Sequence, residues 1–305
     1  MLKSGSRLAI VALGLCAVAY IFITGNYLLT ALGFAAIYVV FVAGLNLFMG
    51  YAGQVSFGQN AFAAIGGYGS AVLTTAYDWP PVPALLASAV LAALVAVIVG
   101  MATLRLRGHY LAMGTLALGL ISYEGAVQWE SLTGGYMGIS GIPSLSIGRW
   151  AAESDRQVFA VLAVLACLAI WGTSRLRHSR FGRAMGAVAG SEDAAAALGV
   201  DVARVKLISF VAAAIYASIA GSLLAHAVGY ISPEVFGLHM VVLGFTMLYV
   251  GGIGTTLGPL AGALLIGMLP EVIRGFRDVQ DLVYGAVLIL ILIQAPGGIA
   301  GALKR

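Results

Sequence analysis

Apolar runs long enough to cross a bilayer recur along this chain, and no other feature limits its fold so sharply. A helix needs about 20 predominantly apolar residues to span the hydrocarbon core. Ten runs of roughly this kind are legible, near Leu8–Thr24, Leu28–Gly50, Val55–Tyr77, Ala84–Leu104, Leu111–Trp129, Val158–Thr173, Leu207–Gly229, Gly237–Val250, Thr256–Pro270 and Leu282–Ala295. The eighth and ninth are short, so eight or nine full crossings with a re-entrant piece fit the pattern too. Windows of this length predict helices, because a membrane β-barrel shows shorter, alternating segments. The expected fold is all-α: one transmembrane helical bundle over residues 1–305, with about ten spans. With 61% hydrophobic and 9% charged residues, too little polar surface remains to clothe a water-soluble globule. The first run could pass for a signal-peptide core. No small-residue cleavage site follows Thr24 before the next run, so a retained helix is expected.

Cationic residues set the expected orientation. With a cytoplasmic N-terminus, Lys3, Arg7, Arg105, Arg107, Arg175, Arg177, Arg180, Arg183, Arg204, Lys206, Lys304 and Arg305 fall inside, and Arg149, Arg156, Arg274 and Arg277 outside. That imbalance puts both termini in the cytoplasm. The net charge of +4 then reflects topology and contact with anionic lipid, and nothing points to nucleic acid. Cys16 and Cys167 lie within spans and are expected to be packing residues.

Polar groups interrupt the spans in one place above all. The segment GLNLFMGYAGQVSFGQNAFAAIGGYGS, Gly44 to Ser70, sets Asn46, Gln54, Ser56, Gln59 and Asn60 among glycines, Gly58 included, at membrane depth. Such groups are costly in hydrocarbon unless partnered or wetted. A broken helix lining a solute pathway and a close-packed seam glued by amides both account for the pattern. On the outer side, Thr133, Gly134, Gly135, Gly138 and Gly141 lie within a loop over 130–157 that reads as a mouth or as an ordinary flexible connection. Gly254, Gly258 and Gly262 recur every fourth residue, which places them on one helix face as a packing seam. Glu124, His226 and His239 each lie about one turn from an outer span end, where water is within reach and interfacial snorkelling is expected.

Several chemistries are missing. No Ser/His/Asp arrangement, Cys/His metal spacing or dinucleotide fingerprint can be assembled. Lys3, Lys206 and Lys304 are the three lysines and none sits in a phosphate-loop setting. The chain is therefore expected to be no enzyme, to hold no cofactor, and to need a gradient or a separate motor for active transport.

The interior basic stretch 174–206 sharpens this. Ser191 is a sound helix N-cap, Glu192 and Asp193 occupy the first turn where the dipole favours anions, and Ala194 to Leu198 are strong helix formers stopped by Gly199. Asp201 is placed to cap the next helix. A short helix braced by two spans suits the passing of a push from a cytoplasmic machine. A solvated connector is the plainer alternative.

At this point the residues resemble a known family, the LivM-like permease subunits of branched-chain amino acid ABC importers. The likeness rests on the Gly44–Ser70 segment, LRLRGHYLAMGTLALG, TGGYMGISGIP, SRFGRAMGAVAGSEDAAAALGVDVARVKLISF, SPEVF and GGIGTTLGPLAGAL. It implies a multi-pass protein of the bacterial inner membrane. Its implied partners are a second homologous permease, two cytoplasmic ATPases that bind ATP and Mg, and an extracytoplasmic substrate-binding protein. It places ATPase coupling on Phe181, Gly182, Arg183, Ser191, Glu192, Asp193, Ala196, Leu198 and Gly199. Leucine, isoleucine and valine are the default solutes of such permeases, while urea and short amides are handled by look-alikes. The chain departs from the pattern at Ala189 and Gly190 before the acid pair, at Met137, and at Val241 and Leu243. A gradient-driven secondary carrier or channel is the competing reading, and a membrane scaffold a third.

Overall fold

A computed structural model of the chain describes residues 26–272, apart from 148–149 and 153. The first and tenth apolar runs lie outside the described residues. Among the described residues, besides a four-residue helical turn at Glu130–Thr133, ten helices carry the architecture: α1 (Asn26–Leu45), α2 (Gln59–Thr75), α3 (Pro81–Thr103), α4 (His109–Gln128), α5 (Asp155–Arg177), α6 (Arg180–Gly190), α7 (Glu192–Ala197), α8 (Val202–Val228), α9 (Leu238–Gly251) and α10 (Gly258–Val272). The bundle is all-α as its apolar windows predict. Six helical stretches among the described residues are long and apolar enough to cross a membrane. At 17 residues α2 falls just short, and so does α10 at 15.

Helix α8 is the axis of the bundle, packed against α2, α3 and α1, while α1 also meets α5 and α10 and α9 lies on α10. The α2–α8 crossing is closest where Gly66 meets the Ser218 backbone and Gly221 meets that of Ala63; a Cβ at either glycine would run into a carbonyl. Ser222 Oγ donates to the Gly66 carbonyl across this contact at 2.8 Å. Small residues thus let two backbones touch where dispersion supplies the attraction. Helices α3 and α4 turn Leu86, Val90, Leu94, Ile98, Met113 and Ile121 outward, which is where lipid or a protein neighbour belongs.

Two breaks in regular helix position the site. Helix α1 widens into a π-helical turn, Asn46–Tyr51, and the chain then runs irregularly through Ala52 to Gly58 before α2 begins. The third span therefore starts at Gln59 and not at Val55. Gly53 turns the chain with φ +68°, and the amides of the break find fixed acceptors: Gln54 N–H on the Phe48 carbonyl and Phe57 N–H on Thr115 Oγ1 at 3.1 Å. The second break precedes α9, where Tyr230 to Gly237 folds back against α2 and α4 with a 3₁₀ turn at Pro233–Phe236.

One expectation about small residues fails. Gly254 is not on a helix face: it sits in the turn before α10 with φ +72°, because its N–H is drawn to Asn46 Oδ1 at 2.8 Å. Gly258 and Gly262 do share a face of α10, Gly262 abutting the α9 backbone at Met247 and Gly258 that of Gly252 just beyond α9.

Candidate functional site

The two ends of the bundle carry different chemistry. Arg105, Arg107, Arg175, Arg177, Arg180, Arg183 and Arg204 gather at the end where α3 joins α4 and where α6 and α7 lie. There Ser179 caps α6 through the Gly182 N–H at 3.1 Å, and a Cβ on Gly182 would strike the Leu176 and Arg177 carbonyls. Ser191 caps α7 through the Ala194 N–H at 3.2 Å, Gly199 ends it with φ +84°, and Asp201 caps α8 through the Arg204 N–H at 3.0 Å. The sequence predicts the caps at Ser191, Gly199 and Asp201, and the structure adds Ser179. Met185, Val188 and Ala195 anchor the α6–α7 corner in a small apolar core with Leu47, Tyr51, Ala52 and Val205. Phe181 packs against that core, while Arg183, Asp193, Ala196, Leu198 and Gly199 face outward, Leu198 at 84% exposure.

Glu192 points inward. Its Oε1 accepts from Lys206 Nζ at 2.7 Å and from Gln54 Nε2 at 3.0 Å, and Arg107 lies 3.5 Å from Oε2. The Lys206 side chain is 2% exposed, that of Glu192 19% and that of Arg107 67%. The buried cation is thus matched by one well-placed carboxylate. A Cβ on Gly53 would stand 2.8 Å from the Ala189 Cα, so the irregular segment after the π turn touches the α6–α7 corner through backbone and through Gln54. Gln54, expected on a solute pathway, is here a strut between that segment and α7.

Asn46 is likewise spent on structure. It donates through Nδ2 to the Thr255 carbonyl at 2.8 Å and accepts the Gly254 N–H, which ties the π turn to the start of α10. Arg177 adds a second tie, its guanidinium 5.0 Å over the Tyr51 ring and its Nη1 donating to Thr256 Oγ1 at 3.3 Å.

Away from the arginine-rich end lies an open cavity of about 350 Å³ lined by Phe57, Asn60, Leu116, Gly119, Leu120, Tyr123, Glu124, Glu234, Gly237, Leu238, His239 and Val241. Its walls are mostly aliphatic and aromatic, with polar groups at the rim and Asn60 at the base. Asn60 donates through Nδ2 to the Phe236 carbonyl at 2.8 Å. Gly119 provides the room for it, since a Cβ there would stand 2.6 Å from Asn60 Oδ1. Ser56 and Gln59 line a recess behind Phe57, beside Phe41, Leu45, Val241 and Phe245, and Ser56 Oγ accepts the Gly58 N–H at 3.4 Å. Of the predicted pathway residues, then, Ser56, Gln59 and Asn60 border cavities and Gly58 sits among them at the start of α2.

The glycines at the start of the 130–157 loop serve a turn. Thr133 Oγ1 donates to the Ala126 carbonyl at 2.6 Å and accepts the Gly135 N–H at 3.2 Å, and Gly134 and Gly135 both have positive φ. None of the three lines the cavity. The loop beyond is pinned: β1 (Ile139–Ser140) pairs antiparallel with β4 (Tyr230–Ile231), after a separate ladder between β2 (Ser146–Ile147) and β3 (Trp150–Ala151). Tyr136 OH donates to Glu234 Oε1 at 2.6 Å, and that carboxylate pushes the Tyr136 phenol above its ordinary value, first through the hydrogen bond and then through its charge.

His226 corrects another expectation. It is buried, with no access to water at its span end. Nδ1 donates to the Pro143 carbonyl at 2.7 Å; a carbonyl only accepts, so in the neutral ring Nε2 is left to accept from Ser70 Oγ, 2.6 Å away. His239 and Glu124 are exposed on the cavity rim.

Lys206, Arg107, Phe57 and Gly119 escape the sequence reading. Lys206 was legible in principle, being one turn inside an apolar helix where a lone cation needs a partner, but the identity of that partner was not, since Asp201 and Asp193 stand nearer in the chain than Glu192. Phe57 and Gly119 carry no sequence signal of their own.

Comparison with known proteins meets this geometry. The family model for the branched-chain amino acid transport system permease component matches residues 27–292. The LivM high-affinity branched-chain amino acid transport system permease protein of Escherichia coli K12 is 31% identical over 319 residues, covering 96% of this chain and 74% of that protein. The LivH permease protein of Salmonella typhimurium is 33% identical over 186 residues, covering 57% of this chain and 59% of that protein. The xylose transport system permease protein XylH of Haemophilus influenzae is 37% identical over 142 residues, 43% of this chain and 37% of that protein. No solved structure matches.

Proposed function

The chain belongs to the family of branched-chain amino acid transport system permease components, and from that membership we propose that it forms half of the membrane pathway of an ABC importer for branched-chain amino acids. It is a transport subunit and not an enzyme. A second homologous permease completes the pathway, two cytoplasmic ATPases hold ATP and Mg, and an extracytoplasmic binding protein delivers the solute. The end carrying the arginines faces the cytoplasm, with both termini on that side of the bacterial inner membrane, as the positive-inside rule favours. The cavity around Asn60 is the outer vestibule, its aliphatic walls suited to a branched side chain.

One observation carries the reading. Leu198 stands out at the C-cap of α7 while Glu192, at the first position of that short helix, reaches inward to Lys206 and Gln54. A helix exposed on one side and ion-paired to the bundle on the other is a part that receives a push and passes it on. ATP-driven closure of the ATPases moves α6 and α7 through contacts at Arg183, Ala196, Leu198 and Gly199, and Glu192 draws Gln54 and the Ala52–Gly58 segment with them. Tight ATP binding to the closed motors supplies the differential affinity that biases the permease between its two states.

The test is import by membrane vesicles holding the complete assembly. Leu198→Asp and Gly199→Val, the second placing a β-branched residue at φ +84°, are expected to abolish leucine uptake and to release the ATPases on purification. Undiminished uptake in both variants would sink the proposal, and uptake by the isolated chain under an ion gradient would favour a secondary carrier.

A further inference from the structure

Gln59 and Asn60 open α2 in the interior, each 2% exposed, and three of their side-chain atoms have no hydrogen-bond partner among the described residues: Nε2 and Oε1 of Gln59, and Oδ1 of Asn60. Amides at this depth are ordinarily satisfied, and unspent ones call for an explanation. The Asn60 orientation is fixed, because the Phe236 carbonyl can only accept and so must face Nδ2. That leaves Oδ1 toward Gly119 and the outer cavity. The Gln59 amide borders the recess behind Phe57, about 10 Å³ in this structure. Phe57, Asn60 and Val241 border both spaces. The Phe57 ring lies 5.1 Å from that of Phe245, which stacks on Tyr249 at 4.5 Å. The first turn of α2 has no acidic residue and no side-chain cap, so its partial positive charge is left uncompensated.

We infer that Gln59, with Asn60 and Ser56, forms an inner station for the zwitterionic head of an α-amino acid, shut in this structure by the ring of Phe57. The inference rests on the transport reading above. The unspent atoms match such a head: Gln59 Nε2 donates to the carboxylate, which also lies at the helix N-terminus, while Gln59 Oε1 and Asn60 Oδ1 accept from the ammonium. The aliphatic side chain then meets Phe41, Leu45 and Val241. Neutral amides hold a charged head loosely enough to release it, which a transport station requires. Phe57 must swing off Phe245 to give the recess room for the solute, so passage from vestibule to station is gated by an aromatic contact and not by a hydrogen bond of the Phe57 side chain.

The experiment uses the complete transporter, purified with its partner subunits, reconstituted in proteoliposomes and supplied with radiolabelled leucine. Gln59→Leu keeps the volume and deletes both groups; leucine moved per ATP hydrolysed is expected to fall at least about tenfold. Phe57→Ala removes the gate, and leucine loaded inside is expected to escape without ATP at least about fivefold faster than from wild-type vesicles. An unchanged leucine-to-ATP ratio in Gln59→Leu, or Phe57→Ala vesicles as tight as wild type, overturns the inference. If Gln59→Leu fails to assemble with its partners, the Phe57→Ala leak decides alone. A wild-type assembly that moves no leucine with ATP defeats the functional reading itself, a failure visible before any variant is made.

Discussion

Replacing Lys206 by Met and Glu192 by Leu, singly and together, measures how firmly α7 is bound to the bundle. Lys206 is almost wholly buried and its one ion-pair partner among the described residues is Glu192 at 2.7 Å. Breaking a buried pair from one side costs about 3–5 kcal/mol, because the remaining charge is stranded. Glu192→Leu strands Lys206 in that way and is expected to cost the full amount. Lys206→Met strands a carboxylate that keeps the Gln54 amide, the mostly exposed Arg107 and some water, so its cost is nearer 2–3 kcal/mol. The double variant replaces the pair by two apolar side chains of similar volume and is expected to lie close to wild type, since such exchanges are often neutral. The predicted order is therefore Glu192→Leu worst, Lys206→Met next and the double variant mildest. Amide hydrogen exchange at Ala195 to Val200 reads it locally: a loss of about 3 kcal/mol speeds exchange by roughly a hundredfold at about 1.4 kcal/mol per decade. Single-variant effects that simply add in the double variant, within about 0.5 kcal/mol, would refute the coupling.

Gly119→Ala sets a methyl 2.6 Å from Asn60 Oδ1 and is expected to cut leucine uptake severalfold, while Gly125→Ala on the same helix, with open space around it, leaves uptake intact and gains up to about 1 kcal/mol of helix propensity; paired uptake and thermal-shift measurements separate the two. Ser70→Ala removes the donor to His226 Nε2 in a buried site and is expected to cost about 1–3 kcal/mol of stability, seen as a lower midpoint in denaturant titration of the purified protein. The Tyr136 phenol, raised by Glu234, keeps its proton above the usual tyrosine range. Its bond to Glu234 is thus fully present below pH about 10 and is lost as pH climbs through the raised value; Glu234→Gln is expected to return that ionisation toward the ordinary one in a difference absorbance titration against Tyr136→Phe.

Helix positions were legible where one long apolar run is one helix, as for α3, α4, α5 and α8, whose ends lie within a few residues of the apolar limits. The caps of α7 and α8 were legible because Ser191 and Asp201 act on amides three residues away, a purely local interaction. The roles of the amides were not. Asn46, Gln54 and Gln59 look alike in a polar, glycine-rich stretch, yet one latches the α10 turn, one braces α7 and one borders a recess. What separates them is the rotation imposed by the π turn and by Gly53, and the partners lie 209 residues away in the case of Asn46 and Thr255. The Gly254 error has a similar root: four-residue spacing implies a common face only if the intervening backbone is helical, and a side chain from α1 captured that backbone instead.

A wide turn holds one residue more than the α-helical period allows, and that surplus at Asn46–Tyr51 has a geometric price. Excising a single residue there would let the backbone tighten to 3.6 per turn, but would swing whatever follows by about 100° relative to what precedes it. Asn46 and the ring of Tyr51 could then no longer both keep their present appointments, with the start of α10 and with Arg177 on α5. The spare residue is what allows one turn of chain to hold both the start of α10 and the end of α5 at once.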